Sequence, residues 1–295
     1  MPVPENWDRP PQTIDEWNAV VETLDRAPRD PQPVLDRYGV TFEPMEVNGV
    51  SAYLLTPSEI PVENRDRLLM HIHGGCYVMG GGPGGMFDGA ILAGVGQLRV
   101  LSVDCRRPPV FRYPAALDDA VSAWRGAIEM ADPTKMGILG VSAGGALTLS
   151  TVLRLKVERL PLPAAIAPGT SMADLTRTGD SFSTNHLVDN VLIGTDGRCQ
   201  AMAELYAESH ALHDPMLSPV YGDMSGFPPA ILTTGTRDLL PSDTVRVHRN
   251  LRQAGVVADL HVFEAQAHGH YIRDVPEWRE AFEEMARFFT THLTQ

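Results

Sequence analysis

The chain has 295 residues, 43% of them hydrophobic and 21% charged, with a formal net charge of −13 at pH 7. This is an ordinary soluble globular composition, large enough for one α/β domain with an insertion. The acidic balance argues against nucleic acid or an anionic membrane surface as partner. No apolar run reaches the roughly 18 residues of a bilayer span, so no stable membrane association is expected. MPVPENWDRPPQ lacks the charged and apolar regions of a signal peptide. Cys76, Cys105 and Cys199 are scattered, without C-x-x-C, so no disulfide framework is expected and a reducing cytoplasm is the expected location.

Residues 1–45 are polar and proline-rich, and read as an arm completing a cap. Thr13 and Glu16 have capping-box spacing ahead of a helical stretch from Trp17 to Leu24. Met45 to Thr56 alternates around Asn48-Gly49, which predicts an antiparallel hairpin. Leu68 to Ile72 and Val100 to Val103 read as buried strands, with a glycine-rich, weakly helical stretch (Gly80 to Gly96) between them. Pro114 to Met130 has helical periodicity, with Leu117, Val121, Trp124 and Ile128 on one face. Further strands are expected at Met136 to Leu139, Leu162 to Ala167, Ala230 to Thr234 and Val257 to Phe263. Helices are expected at Ser242 to Ala254 and Trp278 to Leu293. Alternating strands and helices predict a mostly parallel central sheet covered on both faces. The rhythm breaks over 172–226, a polar interval with one helical patch near Gln200 to Ser209. It reads as a cap insertion that divides the core into 46–171 and 227–295, above the C-terminal strand ends where open α/β sheets bind ligands. The last strand, at an edge, offers a place for a second copy to pair and form a homodimer.

The candidate site centres on Gly140-Val141-Ser142-Ala143-Gly144, which follows a short apolar strand and opens a helix. G-x-S-x-G in strand–turn–helix context is the nucleophile elbow of α/β-hydrolases. Side chains at Gly140 and Gly144 would crowd the neighbouring strand and helix. Ser142 needs a base. His268 lies just past the last strand, with His270 its near rival, whereas His248 and His261 lie within a helix and a strand. The base needs an acid. Asp238 follows a strand through Gly235-Thr236-Arg237, ahead of Asp243, a helix-start residue, and Asp214 in the insertion. The order Ser142, Asp238, His268 is the order of that fold. Backbone donors for an oxyanion are expected at Gly75 and Cys76, or at Gly74 and Gly75, together with Ala143 after the nucleophile.

His73-Gly74-Gly75, Tyr113-Pro114-Ala115-Ala116-Leu117-Asp118-Asp119, Gly140 to Gly145, Asp238 and His268-Gly269 occur in an order and spacing that resemble the hormone-sensitive-lipase-like microbial carboxylesterases. The resemblance runs from about Met45 to the C-terminus. It implies an α/β-hydrolase core with a helical cap built from the N-terminal arm and the insertion. It also implies Ser142 as nucleophile, His268 as base and Asp238 as acid, on a small-molecule ester. His73 would order the oxyanion loop without reacting. Three departures touch the pocket: Cys76 for the last glycine of HGGG, a thiol open to alkylation; Val141 where many relatives have Asp; and Cys105-Arg106-Arg107-Pro108-Pro109 for the usual Tyr-Arg-Leu-Ala-Pro.

The expected activity is hydrolysis of short- to medium-chain esters through an acyl-enzyme, falling below roughly pH 6 to 7 as His268 protonates. No metal or organic cofactor is called for. His71-x-His73 and His268-x-His270 lack a flanking acidic signature for a metal, and Gly80 to Gly85 lacks the G-K-[ST] of a phosphate loop. A lactonase, amidase or peptidase would use the same machinery. A small-molecule receptor on this fold would typically have lost a triad member.

Overall fold

A computed structural model describes residues 8–26, 30–194, 197–269 and 275–294. The elements in chain order are α1 (Ile14–Arg26), α2 (Gln32–Tyr38), β1 (Val40–Val47), β2 (Val50–Pro57), β3 (Leu68–Ile72), α3 (Phe87–Gly96), β4 (Arg99–Val103), α4 (Ala115–Ala127), β5 (Met136–Val141), α5 (Ala143–Glu158), β6 (Ala165–Gly169), α6 (Ser181–Thr184), α7 (Arg198–Ala207), β7 (Ala230–Gly235), α8 (Pro241–Gln253), β8 (Ala258–Phe263) and α9 (Pro276–His292). The eight strands form one sheet in the order β1-β2-β4-β3-β5-β6-β7-β8. The β1–β2 hairpin and its pairing to β4 are antiparallel, and every pairing from β4 to β8 is parallel.

The period of two along each strand divides the core. Leu68, Met70 and Ile72 of β3 face α4, α5 and α8, whose Trp124, Leu149 and Val247 fill that side. Leu69 of β3 and Leu139 of β5 face the opposite layer, packed by Ile91 of α3 and Phe282 and Phe289 of α9. The face anticipated for α4 is the buried one: Leu117 and Trp124 are fully covered. The Thr13–Glu16 capping box forms, the Glu16 N–H donating to Thr13 Oγ1 (3.2 Å) and the Thr13 N–H to Glu16 Oε2 (3.1 Å).

β6 differs from its expected span, starting at Ala165 rather than Leu162 and running to Gly169. Pro161 and Pro163 have no N–H to give a ladder, and pairing to β5 starts at Gly137 opposite Ala165. The later end carries the chain to Thr170, at the mouth of the site.

The insertion crosses the C-terminal ends of the parallel strands. Trp17 and Val21 of α1 pack with Cys76, Val78 and Met79 of the loop after β3 and with Met202 of α7. The arm and the insertion therefore build one cap, as the resemblance implied. Tyr206 of α7 stacks on Tyr77 with ring centroids 4.4 Å apart and meets the edge of Tyr113. Cys76 and Cys199 are joined as a disulfide, and only Cys105 is free. This corrects the expectation of three unpaired cysteines and of an alkylatable thiol at position 76. The support that free thiols lent to a reducing compartment falls with it. No local sequence signal marks the pair, because 123 residues separate its halves; only the folding of the cap over the loop brings them together. Among the described residues no helix is long and apolar enough to cross a membrane.

Candidate active site

β5 ends at Val141, and Ser142 stands between it and α5 with φ 62° and ψ −124°. That conformation is strained for an L-residue and lifts the side chain out of the sheet. The turn closes only because its neighbours are glycines. A methyl group at Gly144 would stand 2.1 Å from the Ile72 carbonyl oxygen, and one at Gly140 would stand 2.3 Å from the Gly144 oxygen. Ser142 is itself held to β6, its N–H donating to the Gly169 carbonyl at 3.0 Å.

Ser142 Oγ lies 2.9 Å from His268 Nε2. The other ring nitrogen, Nδ1, lies 3.1 Å from Asp238 Oδ1 and 3.3 Å from Oδ2. All three side chains are buried. The Leu240 N–H donates to Asp238 Oδ1 at 2.8 Å, and the Thr170 hydroxyl donates to Oδ2. Thr170 Oγ1 also lies 3.3 Å from His268 Nδ1. Burial works against a charged His268, but the Asp238 carboxylate, helped by Asp189 and Asp88, outweighs it and raises the imidazole above its ordinary value. The imidazole is thus poised to take a proton from Ser142 and to be stabilised once charged.

The rivals fall elsewhere. Asp243 is buried in the first turn of α8, where its Oδ2 accepts the Asp174 N–H (3.0 Å), and burial pushes its carboxyl well up. Asp214 caps a local turn through the Met216 N–H (2.8 Å). His248 meets the Ala258 carbonyl (3.2 Å) and His261 sits in β8. His270 lies outside the described residues.

The loop after β3 runs against the nucleophile. A methyl group at Gly74 would stand 2.7 Å from the Val141 carbonyl oxygen and 3.4 Å from Ser142 Cβ. Gly75 has φ +108°, and a methyl there would stand 2.4 Å from the Met79 carbonyl oxygen. Its own carbonyl accepts the N–H groups of Val78 and Met79 in a tight turn. His73 is buried and its Nδ1 donates to the Gly74 carbonyl at 2.8 Å. Burial lowers its pKa, so it is a neutral strut for the loop. Ala143 opens α5, where the helix leaves its first N–H groups free for a ligand. Gly74 thus packs against the end of β5 at Ser142, with Gly75 and Cys76 next in the same loop and Ala143 the first residue of α5. No group of three or more metal-ligating side chains occurs among the described residues.

The model of a family with the α/β-hydrolase fold matches residues 69–272. An acetyl-hydrolase of Streptomyces hygroscopicus is 31% identical over 234 residues, 78% of each chain. A crystal structure of an esterase from the bacterial hormone-sensitive lipase family superposes with a TM-score of 0.82 at 29% identity, covering 97% of this chain and 93% of the other. The chain belongs to the hormone-sensitive-lipase-like α/β-hydrolases. An esterase of known crystal structure is similar over 98% of this chain and 89% of its own, with 41% identity and a TM-score of 0.93.

The departures from the family pattern now have places. Cys76 has φ 51°, the left-handed region that a glycine occupies freely. Its side chain points to the cap and is spent in the disulfide. Val141 is buried, its Cγ2 3.3 Å from where a methyl on Gly169 would stand, so it fills the β5–β6 interface with apolar volume. Arg106 pairs with Asp119 (2.8 Å) and Arg107 donates to the Val78 carbonyl (3.1 Å), which braces the loop after β3 from behind. Thr170 and the cap residues Asn185 and Asp189, which reach the Asp238 loop, escaped the sequence reading. The one available signal for Thr170 was its place just past a core strand.

Proposed function

We propose that this hormone-sensitive-lipase-like protein is a serine carboxylesterase of short- to medium-chain esters. The observation that carries the proposal is the continuous contact from Ser142 Oγ through His268 to Asp238, at 2.9 and 3.1 Å. Ser142 Oγ attacks the ester carbonyl carbon while His268 Nε2 takes its proton. Asp238 fixes the tautomer and stabilises the imidazolium. Backbone N–H groups of Gly74, Gly75 or Cys76, with that of Ala143, hold the oxyanion, each worth about 3–4 kcal/mol in the transition state. His268 returns the proton to the leaving alcohol, and water attacks the acyl-enzyme by the same route in reverse. The Streptomyces relative is an acetyl-hydrolase, which favours a small acyl group. So does a cap whose α7 is fastened covalently beside the nucleophile.

The test is hydrolysis of p-nitrophenyl acetate, butyrate, octanoate and palmitate by wild type and Ser142→Ala. Fast turnover of the shorter esters is expected, with kcat about five to six orders of magnitude lower in the variant. A Ser142→Ala enzyme that keeps a tenth of the activity overturns the assignment. A folded wild type that leaves all four esters intact but opens lactones or cleaves amides moves the substrate class and leaves the triad standing.

A further inference from the structure

The loop that carries Asp238 is not held by the core alone. The short cap segment after α6 reaches down to it. The Asn185 side-chain amide donates to the Asp238 carbonyl at 2.6 Å and to the Thr236 carbonyl at 3.0 Å. The Asp189 carboxylate is buried, and its Oδ2 accepts the Leu239 N–H at 2.9 Å. The carbonyl of Asp238 and the N–H of Leu239 are the two ends of one peptide unit. The cap therefore grips that unit at both ends, the oxygen with Asn185 and the hydrogen with Asp189. Asp189 Oδ1 is occupied in turn by the N–H groups of Val191 (2.8 Å) and Leu192 (3.2 Å), which fixes the carboxylate plane.

We propose that Asn185 and Asp189 are positioning residues of the triad: together they set the rotation of the Asp238–Leu239 peptide, and through it the aim of the Asp238 carboxylate at His268. The inference rests on Ser142, His268 and Asp238 acting as proposed above. A peptide clamped at both ends cannot rotate without breaking two hydrogen bonds, one of them to a charge in a dry site. The clamp also brings a second carboxylate to the dyad. The charged groups acting on His268 are Asp238, Asp189 and Asp88, all of which favour its protonated form, against burial. For Asp189, burial and the charge of Asp238 push its carboxyl up, while His268 and the N–H groups of Val191 and Leu239 pull it down. The cap thus contributes to the acid–base chemistry as well as covering it.

The variants are Asp189→Asn and Asn185→Ala, with Asn185→Gln as the conservative partner. Asp189→Asn keeps the shape, removes the charge and turns one of its bonded acceptors into a donor. Loosening the aim of Asp238 lowers kcat about tenfold or more, with KM within about twofold, since the substrate is not touched. It also moves the acid limb of kcat/KM to lower pH, because His268 loses part of the negative field that raises it. Asn185→Gln restores part of the kcat lost in Asn185→Ala. A folded pair of variants with kcat within twofold of wild type and an unmoved acid limb overturns the proposal. Should the variants unfold, the far-downfield proton resonance of the His268 Nδ1–H is compared in wild type and in wild type with the cap loosened by low urea. A resonance that persists unchanged after the cap signals have shifted refutes the clamp. Reaction of wild type with a phosphonate ester keeps the two readings apart. Failure to label Ser142 condemns the hydrolase reading, whereas the resonance reports on the clamp without turnover.

Discussion

Reducing the Cys76–Cys199 disulfide removes a constraint whose size follows from the chain it closes. The half-cystines are 123 residues apart. In the chain-entropy model a loop of that length withholds about 16 cal/mol/K from the unfolded state, or about 5 kcal/mol at 25 °C. A chain of 295 residues has an unfolding entropy of about 0.6 kcal/mol/K near its midpoint, so the same quantity appears as about 8 °C in Tm. The perturbation is Cys76→Ser combined with Cys199→Ser, alongside wild type treated with a dithiol. The assay is thermal unfolding followed by circular dichroism. The double variant and the reduced protein are expected to melt together, well below the oxidised one. Thiol titration in denaturant checks the premise: one free thiol, Cys105, without reductant, and three with it. Three free thiols in the untreated protein, or a Tm that moves by less than about 2 °C, refutes the reasoning.

In the proposed mechanism His268 works as a base only when neutral, and its pKa is raised over the ordinary value of about 6.5. Activity is therefore lost as pH falls through a midpoint above that of an ordinary imidazole. A kcat/KM profile from pH 5 to 9 with its acid limb centred below pH 6 contradicts this. Thr170→Val removes the hydroxyl that donates to Asp238. A hydrogen bond to a carboxylate is worth about 1.5–3 kcal/mol, so kcat should drop about tenfold to a hundredfold, read from steady-state kinetics. Gly144→Ala places a methyl 2.1 Å from the Ile72 carbonyl oxygen, where backbone and not a flexible side chain must yield. Expression as aggregate, or a folded protein with kcat down at least a hundredfold, is expected. Wild-type turnover would show that the elbow has slack the structure does not contain.

The frame of this fold is legible because parallel strands buried on both faces appear as short unbroken apolar runs. Leu68 to Ile72 was bounded to the residue, and Met136 to Leu139 fell short by two. The three side chains that meet at the candidate site were legible for a related reason. Each member sits just past a strand, so finding the strands localised Ser142, Asp238 and His268 to loops on one edge. What lay hidden depends on residues that meet only after the cap closes. Nothing near Cys76 announces Cys199, and nothing in Asn185 or Asp189 distinguishes them from solvated polar residues of a loop. Thr170 is one of two adjacent hydroxyl residues, with Ser171, in a stretch of small residues. Its significance comes from the end of β6 at Gly169, which leaves Thr170 as the next residue, within reach of Asp238.

The groups of the triad are delivered by strands that leave the ribosome far apart in time. Ser142 is joined to its base across 126 positions of sequence, and the acid arrives between them. A chain that ends before β8 keeps the serine and glycine motifs in its sequence but lacks His268, the base of the proposed mechanism. The proposed chemistry thus depends on the docking of the last strand at the sheet edge, since the loop after β8 brings His268 to Ser142.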